Sequence, residues 1–330
     1  MTQEIPRYGD LPIDERRPPH SSWGVFGDDD EAGTINFLTA ERVLEAARLV
    51  RKGSVFALNM DLEWPDPPIL GRGAMEHTVI KQASGTDDKY DNFFPQASSQ
   101  WDALAHVGHP EHGFYNGWQL DDITGKPGSR VGIDHWARRG IVGRFVLADI
   151  ERHFTNTGRT FDIGEGPTFT ASDIEEVLDA QGVALTPGSV LLLRFGWPEW
   201  YDARSAAERD VLAKAEVPEE PTDDHPGAFF PSPGIRAEEA TAEWLWNNQV
   251  AAVAADCPSV EGMPFNRASQ DTFLHYRLVA LLGMALGEMW KLDELAADCA
   301  ADGVYEGLLT SAPLNKVGGS GSTANAIALK

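Results

Sequence analysis

Cysteine is scarce in this sequence: Cys257 and Cys299 are the two present among 330 residues. A disulfide scaffold in a chain this long needs more cross-links than one pair, so a reduced, intracellular, cytoplasmic protein is the expectation. No apolar run approaches the ~20 residues that a membrane span needs. The N-terminal stretch MTQEIPRYGDLPIDERRPPH has no basic segment followed by an apolar one, so no leader or anchor is expected there. Positive charge is also in short supply. Lys+Arg number 27 against 51 Asp+Glu, a net charge of −24 that repels phosphate backbones and anionic lipid. Neither nucleic acid nor a membrane is an expected partner. The acidic runs Asp28–Glu31 and Glu216–Asp224 read as solvated loops.

Familiar catalytic signatures are missing as well. A dinucleotide site needs G-x-G-x-x-G between a strand and a helix, and neither Gly71-Arg72-Gly73 nor the glycines of 318–321 stand in that context. There is no P-loop, no H-E-x-x-H, no C-x-x-C and no G-x-S-x-G elbow. Ser98 and Ser99 fall near His106, but nothing marks either as an activated nucleophile. Acid–base or metal chemistry is what remains.

What is present concentrates in Gln96–Gly117, QASSQWDALAHVGHPEHGFYNG, which holds Asp102, His106, His109 and His112, three of the nine histidines. In a helix Asp102, His106 and His109 would share a face at i, i+4 and i+7, and in a strand Asp102 and His106 would share one by the two-residue period. Either geometry brings a carboxylate to an imidazole. On these residues alone a polar loop whose side chains cap nearby backbone is the alternative.

Hydrophobic residues make up 42% and charged residues 24%, which suits a folded soluble domain rather than a disordered chain. Thr39 caps a predicted helix that runs to about Val50, and Thr170 or Ser172 caps another that stops at Gly182. A third helix lies within RAEEATAEWLWNN. Strands are predicted at Ser54–Leu58, from His77, at Gly140–Ile150, at Ser189–Phe195 and in VAAVAAD. Asp149, Glu151 and Arg152 come at a strand end, where functional groups are often delivered. Asp271–Met289 is too short to span a membrane and reads as two apolar elements about a Gly283 turn, with Glu288 at the end needing a partner or a metal once buried. The order of elements gives an α/β protein. The pattern divides into an N-terminal arm, residues 1–33, and a single domain, residues 34–330.

Several motifs, taken in order, carry a resemblance: Trp23-Gly24 with Asp29 or Asp30, Gly33-Thr34, Asn36 and Leu38-Thr39; WDALAH; YNG; GIVGR-VLAD; LLLRFGW; PGI-EEA-WL; VAAVAAD-SVE; H-LLG-E; and GGSGS-NAIAL. The chain resembles the cyclase-like metal-dependent hydrolases, the group that includes bacterial kynurenine formamidases and isatin hydrolases. The likeness runs from about residue 20 to the C-terminus. It implies a swivelling β/β/α single domain with a partly barrel-like β core and outer helices, with N-terminal arms exchanged in a homodimer or higher assembly.

The family motif H-x-G-T-H-x-D-x-P-x-H, laid with its Asp on Asp102, puts its final His on His106 but its first two histidines on Gln96 and Gln100. The downstream ligand pair of the family matches His275 and Glu288. By themselves these two read as a core histidine and a helix-end carboxylate. The resemblance makes Asp102, His275 and Glu288 ligands of one divalent ion, Zn²⁺ or Mn²⁺, with Gln100 as a fourth ligand or a supporting group, since two glutamines would not hold a second ion. It makes His106 the proton-transfer residue and Trp23 a pocket-lining aromatic, with Phe93, Phe94 and Trp197 as further stacking surface. His109 and His112 lie outside the motif and are expected on a rim loop, with one of them a possible replacement ligand. The implied function is opening of an amide or lactone bond in a small cyclic or aromatic substrate, by metal-bound hydroxide with His106 moving the proton. The two glutamines leave open a metal-free lyase or cyclase using His106 and Asp102, and a small-ligand binder without catalysis. Loops 64–95 and 197–233 would set the substrate.

Overall fold

The computed structural model describes residues 5–215, 230–265, 267 and 272–330; the acidic run Glu216–Asp224, part of the loop 197–233 and the first residue of Asp271–Met289 lie outside the described residues. The strands are β1 (Val55–Ala57), β2 (Glu76–Lys81), β3 (Thr86–Asp91), β4 (Gln100–Asp102), β5 (Ile141–Asp149), β6 (Thr168–Phe169), β7 (Val190–Arg194), β8 (Gly234–Ile235), β9 (Ala252–Ala255), β10 (Ala285–Glu288), β11 (Glu306–Ser311), β12 (Gly321–Thr323) and β13 (Ala326–Leu329). The helices are α1 (Ala40–Ala47), α2 (Asp134–Arg139), α3 (Ile150–Asn156), α4 (Ala171–Gln181), α5 (Trp197–Asp202), α6 (Ala206–Ala213), α7 (Glu239–Asn247) and α8 (Asp293–Asp302), with a π-helical segment at Tyr276–Leu281.

Nine strands form one curled, half-barrel sheet in the order β1-β13-β11-β5-β7-β9-β10-β4-β12. Its centre, β5-β7-β9-β10, is parallel, and both flanks are antiparallel. The composition explains this split. Val190–Arg194, Ala252–Ala255 and Ala285–Glu288 are buried at every position, as parallel strands covered on both faces must be. By contrast β11 alternates half-buried and buried residues along its length, the mark of a strand with one face to the core. Helices α1 and α4 pack on β5. Each starts on a threonine whose hydroxyl accepts a backbone N–H, Thr39 from Arg42 and Thr170 from Asp173, as the sequence leads one to expect.

The described part of the N-terminal arm lies against the chain's own body. Trp246 Nε1 donates to the Pro6 carbonyl at 2.9 Å, and where the arm joins the domain Thr34 N donates to the Gly283 carbonyl at 2.8 Å. Gly33 makes this second contact possible, because its φ is +61° and a Cβ there would stand 1.9 Å from the Gly283 oxygen. The β2–β3 hairpin is different. It stands outside the main sheet with nearly every residue exposed. No helix among the described residues is long and apolar enough to cross a membrane.

Candidate metal centre

Two short antiparallel strands build the centre. In the β4–β10 pair Gln100 faces Glu288 directly, and Asp102 faces Leu286. The two-residue period therefore puts Gln100, Asp102 and Glu288 on one face of the pair. The other face is tryptophan core: Trp101 and Trp290 meet edge to face at 4.8 Å, and Trp290 Nε1 donates to the Gln100 carbonyl at 2.9 Å. Gly287 is required between them, since a Cβ would lie 2.7 Å from Trp290 Nε1. Locking one face in this way fixes the direction of the other.

His275 is brought over that polar face by the π-helical turn that follows it, a distortion frequent at functional sites. Its Nε2 lies 3.5 Å from Asp102 Oδ2 and 3.3 Å from Glu288 Oε1. On the opposite side of the ring Nδ1 lies 2.8 Å from Glu261 Oε1. Glu261 is itself held by Leu274 N at 3.0 Å and by the Ser259 hydroxyl at 3.0 Å. A carboxylate on Nδ1 selects the tautomer that leaves the Nε2 lone pair free, a common arrangement around metal-binding histidines. Glu261 stands in the SVE stretch quoted above, but nothing there marks it as the partner of a histidine fourteen residues on. The signal available in sequence was an acidic residue in an otherwise apolar strand exit.

Gln100 donates its Nε2 to both carboxylates, at 2.5 Å to Glu288 Oε2 and 3.3 Å to Asp102 Oδ1. Turning the amide over would set its oxygen against two carboxylates, so the donor orientation is the one the charges require. Gln100 thus steadies the ligands in this arrangement. Gln96 sets its side-chain amide against Gly321, the β12 residue that faces Asp102 across the β4–β12 pair.

The electrostatics follow from burial and crowding. Burial would raise the Asp102 carboxyl, but the neighbouring His106 and His275 imidazoles, with the hydrogen bond to His275, outweigh it and hold it below its usual value. Glu288 is pushed up to about 7 by burial and by the neighbouring Asp102 charge. Burial would lower His275, yet the Glu261 charge and the hydrogen-bonding carboxylates carry it well above the ordinary imidazole range. His106 goes the other way: burial lowers it, with Asp102 only partly offsetting that. Its Nε2 stands 3.7 Å from Asp102 Oδ1, so a neutral imidazole sits at the edge of the carboxylate cluster.

The donor set suits a cation. One ligand atom each from Asp102, His275 and Glu288 lies within 4.8 Å of the others, and this is the one such group of three or more among the described residues. Asp102 Oδ2 and Gln100 Oε1 are buried without a hydrogen-bond partner, which is costly unless something else meets them. An imidazole and two carboxylates match the preferences of Zn²⁺ or Mn²⁺. These residues fit one divalent ion.

The other expected residues are scattered. Trp23 is buried, donates Nε1 to the Ala280 carbonyl at 2.9 Å and packs over Gly117. Trp197 is fully buried in an aromatic cluster with Trp64 and Tyr201. Phe93 and Phe94 line a cavity of about 220 Å³ with Leu62, Pro65 and Met75, beside the exposed hairpin. His109 and His112 stack on each other at 4.5 Å, and His109 also meets Tyr276 at 5.6 Å. Ser98 and Ser99 donate their hydroxyls to the carbonyls of Asp61 and Met289, so they tie loops together.

The model of the Cyclase family matches residues 57–262, well over half of the chain. The chain belongs to the cyclase family. A crystal structure of a novel cyclase is 32% identical to this family member and superposes with a TM-score of 0.79, covering 94% of this chain and 99% of that one. The same fold recurs at low identity in isatin hydrolase A from Labrenzia aggregata bound to benzyl benzoate (16% identity, TM-score 0.57, 86% of this chain and 95% of that one). Isatin hydrolase A from Ralstonia solanacearum is a further fold relative (18% identity, TM-score 0.56, 88% and 97%). No curated protein sequence matches the chain.

Proposed function

We propose that this protein is a metal-dependent hydrolase that opens an amide or lactone bond in a small cyclic or aromatic substrate. The observation that carries the reading is the convergence of Asp102, His275 and Glu288 with an unpartnered carboxylate oxygen between them. Family membership and the isatin hydrolase fold relatives support it.

Asp102, His275 Nε2 and Glu288 would hold the ion. When bound, a divalent ion supplies Lewis acidity that polarises a carbonyl and makes a water more acidic. Glu261 orients His275 by accepting from Nδ1, and Gln100 keeps the two carboxylates from splaying. His106 is neutral near pH 7, partly exposed on its open side, and next to the cluster. It accepts a proton from the attacking water and returns it to the departing nitrogen or oxygen.

The test is elemental analysis of protein purified without chelator, beside turnover of a panel of aryl amides and lactones. One Zn or Mn per chain is expected, absent in Asp102→Ala and Glu288→Ala, with activity down by roughly a thousandfold or more in both. His106→Ala should keep the metal while losing about 10²- to 10⁴-fold in kcat. A wild-type protein that takes up no metal when soaked would sink the hydrolytic reading and favour metal-free acid–base chemistry at His106. Loss of metal in His106→Ala would make His106 a ligand.

A further inference from the structure

The oxygens of the two ligand carboxylates, Asp102 and Glu288, do not all face the same way. His275 Nε2 lies 3.5 Å from Asp102 Oδ2 and 3.3 Å from Glu288 Oε1, so these three atoms share the side on which an ion would be held. The other oxygen of each carboxylate is turned to Gln100. Its Nε2 carries two N–H donors, and they reach Glu288 Oε2 at 2.5 Å and Asp102 Oδ1 at 3.3 Å. One amide therefore spans both acids.

The span is built into the sheet. Gln100 faces Glu288 directly across the β4–β10 pair, and Asp102 follows two residues later on the same face of β4. The main chain of Gln100 is pinned as well, its carbonyl accepting from Trp290 Nε1 at 2.9 Å. Glu288 is fixed from a second side, with Val260 N donating to Oε1 at 3.3 Å. With both N–H donors committed to the acids, Gln100 Oε1 stays buried without a hydrogen bond. Charge-assisted bonds to two carboxylates offset that loss.

A carboxylate with one oxygen engaged by an N–H donor is a ligand through the other oxygen alone. Two such carboxylates and one imidazole offer one atom each, which is the count at catalytic zinc sites, where three protein ligands leave a fourth position open. Mn²⁺ favours six-coordinate, oxygen-rich sites, and here it would draw on the second carboxylate oxygens that Gln100 holds.

We propose that Gln100 is a positioning residue that makes Asp102 and Glu288 one-oxygen ligands and thereby selects a four-coordinate ion, Zn²⁺, over Mn²⁺. The inference rests on the reading of Asp102, His275 and Glu288 as a metal site and goes beyond it, since those three residues alone suit either ion. Of the two roles that the family resemblance leaves to Gln100, ligand or support, the direction of its amide fits the second.

The experiment measures Zn²⁺ and Mn²⁺ affinities by chelator competition, and the visible spectrum of the Co²⁺-loaded protein, in wild type, Gln100→Met and Gln100→Leu, with the thermal midpoint of each. Nitrogen and oxygen sites in general hold Zn²⁺ more tightly than Mn²⁺, so the change in the ratio of the two affinities is what decides. Wild type loaded with Co²⁺ should show the intense visible bands of four-coordination. Gln100→Met should lower Zn²⁺ affinity by about 10- to 100-fold, leave Mn²⁺ affinity equal or raised, and weaken the Co²⁺ bands as the second carboxylate oxygens come free. Gln100→Leu removes the same donors and should do likewise. Weak Co²⁺ bands in wild type would overturn the proposal without recourse to either variant. Equal losses for Zn²⁺ and Mn²⁺, or none, with the Co²⁺ bands unchanged, would overturn it as well and leave the metal site standing, because a side chain that merely packs does not distinguish the ions. A wild type that takes up none of the three ions would instead sink the metal reading itself.

Discussion

Two charge clusters lie on strands of the same sheet, and they end differently. At the ends of β5 and β7, Arg194 Nη1 meets Asp149 at 2.8 Å and Glu151 at 3.0 Å, and its Nη2 meets Glu199 at 2.6 Å. Asp149 also caps α3 through Arg152 N and pairs with the Arg152 side chain. There each carboxylate has an arginine to answer it. At the β4–β10 pair, three carboxylates crowd one histidine and leave an oxygen of Asp102 without a hydrogen bond. A cluster in which each carboxylate is paired with an arginine is part of the scaffold. One with a buried acceptor left open is built for something else.

Breaking the first cluster should cost the most stability. Arg194→Ala leaves the buried Asp149 with the half-exposed Arg152 to answer it, and is expected to lower unfolding free energy by about 3 kcal/mol. Denaturant melts would show this, and the folded fraction should still carry its metal. A variant as stable as wild type would mean that the Arg194 cluster is not the closed, structural one. Asp102→Ala, by contrast, removes a crowded acid and should leave the midpoint unchanged or raised as the metal is lost.

A finer cut separates the ligands from what orients them. Glu261→Gln keeps the shape but removes the charge that sets the His275 tautomer, and metal affinity should fall by about 10- to 100-fold, read by competition with a chromogenic chelator. Undiminished affinity would reduce Glu261 to a packing group.

The smallest effect is expected where a charged pair is half exposed. Glu31 of the arm accepts from His135 of α2 at 3.1 Å and from Arg130 at 2.9 Å. The hydrogen bond to Glu31 holds the His135 imidazole above its ordinary 6.5, with burial opposing. Protonated His135 therefore contributes stability at pH values below that ordinary value, and the contribution fades as pH rises through the raised folded one. The difference in midpoint between wild type and His135→Gln should be a degree or so at most at acid pH and close on the alkaline side. A gap that widens with pH would show the pairing to be wrong.

Much of this arrangement was readable beforehand. The helices at Thr39 and Thr170 begin where their caps sit, and the buried runs 141–149, 190–194 and 252–255 form the middle of the sheet. Asp102, His275 and Glu288, assigned from the family resemblance, converge within one group. The sequence pattern was less informative about Asp149, Glu151 and Arg152. A strand end with charged residues looks the same whether they serve a substrate or one another, and only Arg194, forty-five residues on, distinguishes the two. Trp197 and Trp23 have aromatic side chains that suit a pocket or a core alike, and both lie buried here.

By itself the sequence determined the local structure, because caps, turns and hydrophobic period act over a few residues. With the family resemblance it also determined which three side chains could share an ion. The tertiary structure alone decided what surrounds them: that Gln100 turns its amide nitrogen toward the carboxylates, and that Glu261 backs His275. Hydrogen-bond direction and burial at a point depend on residues far apart in the chain, Gln100 and Glu288 among them, and no spacing along it encodes them.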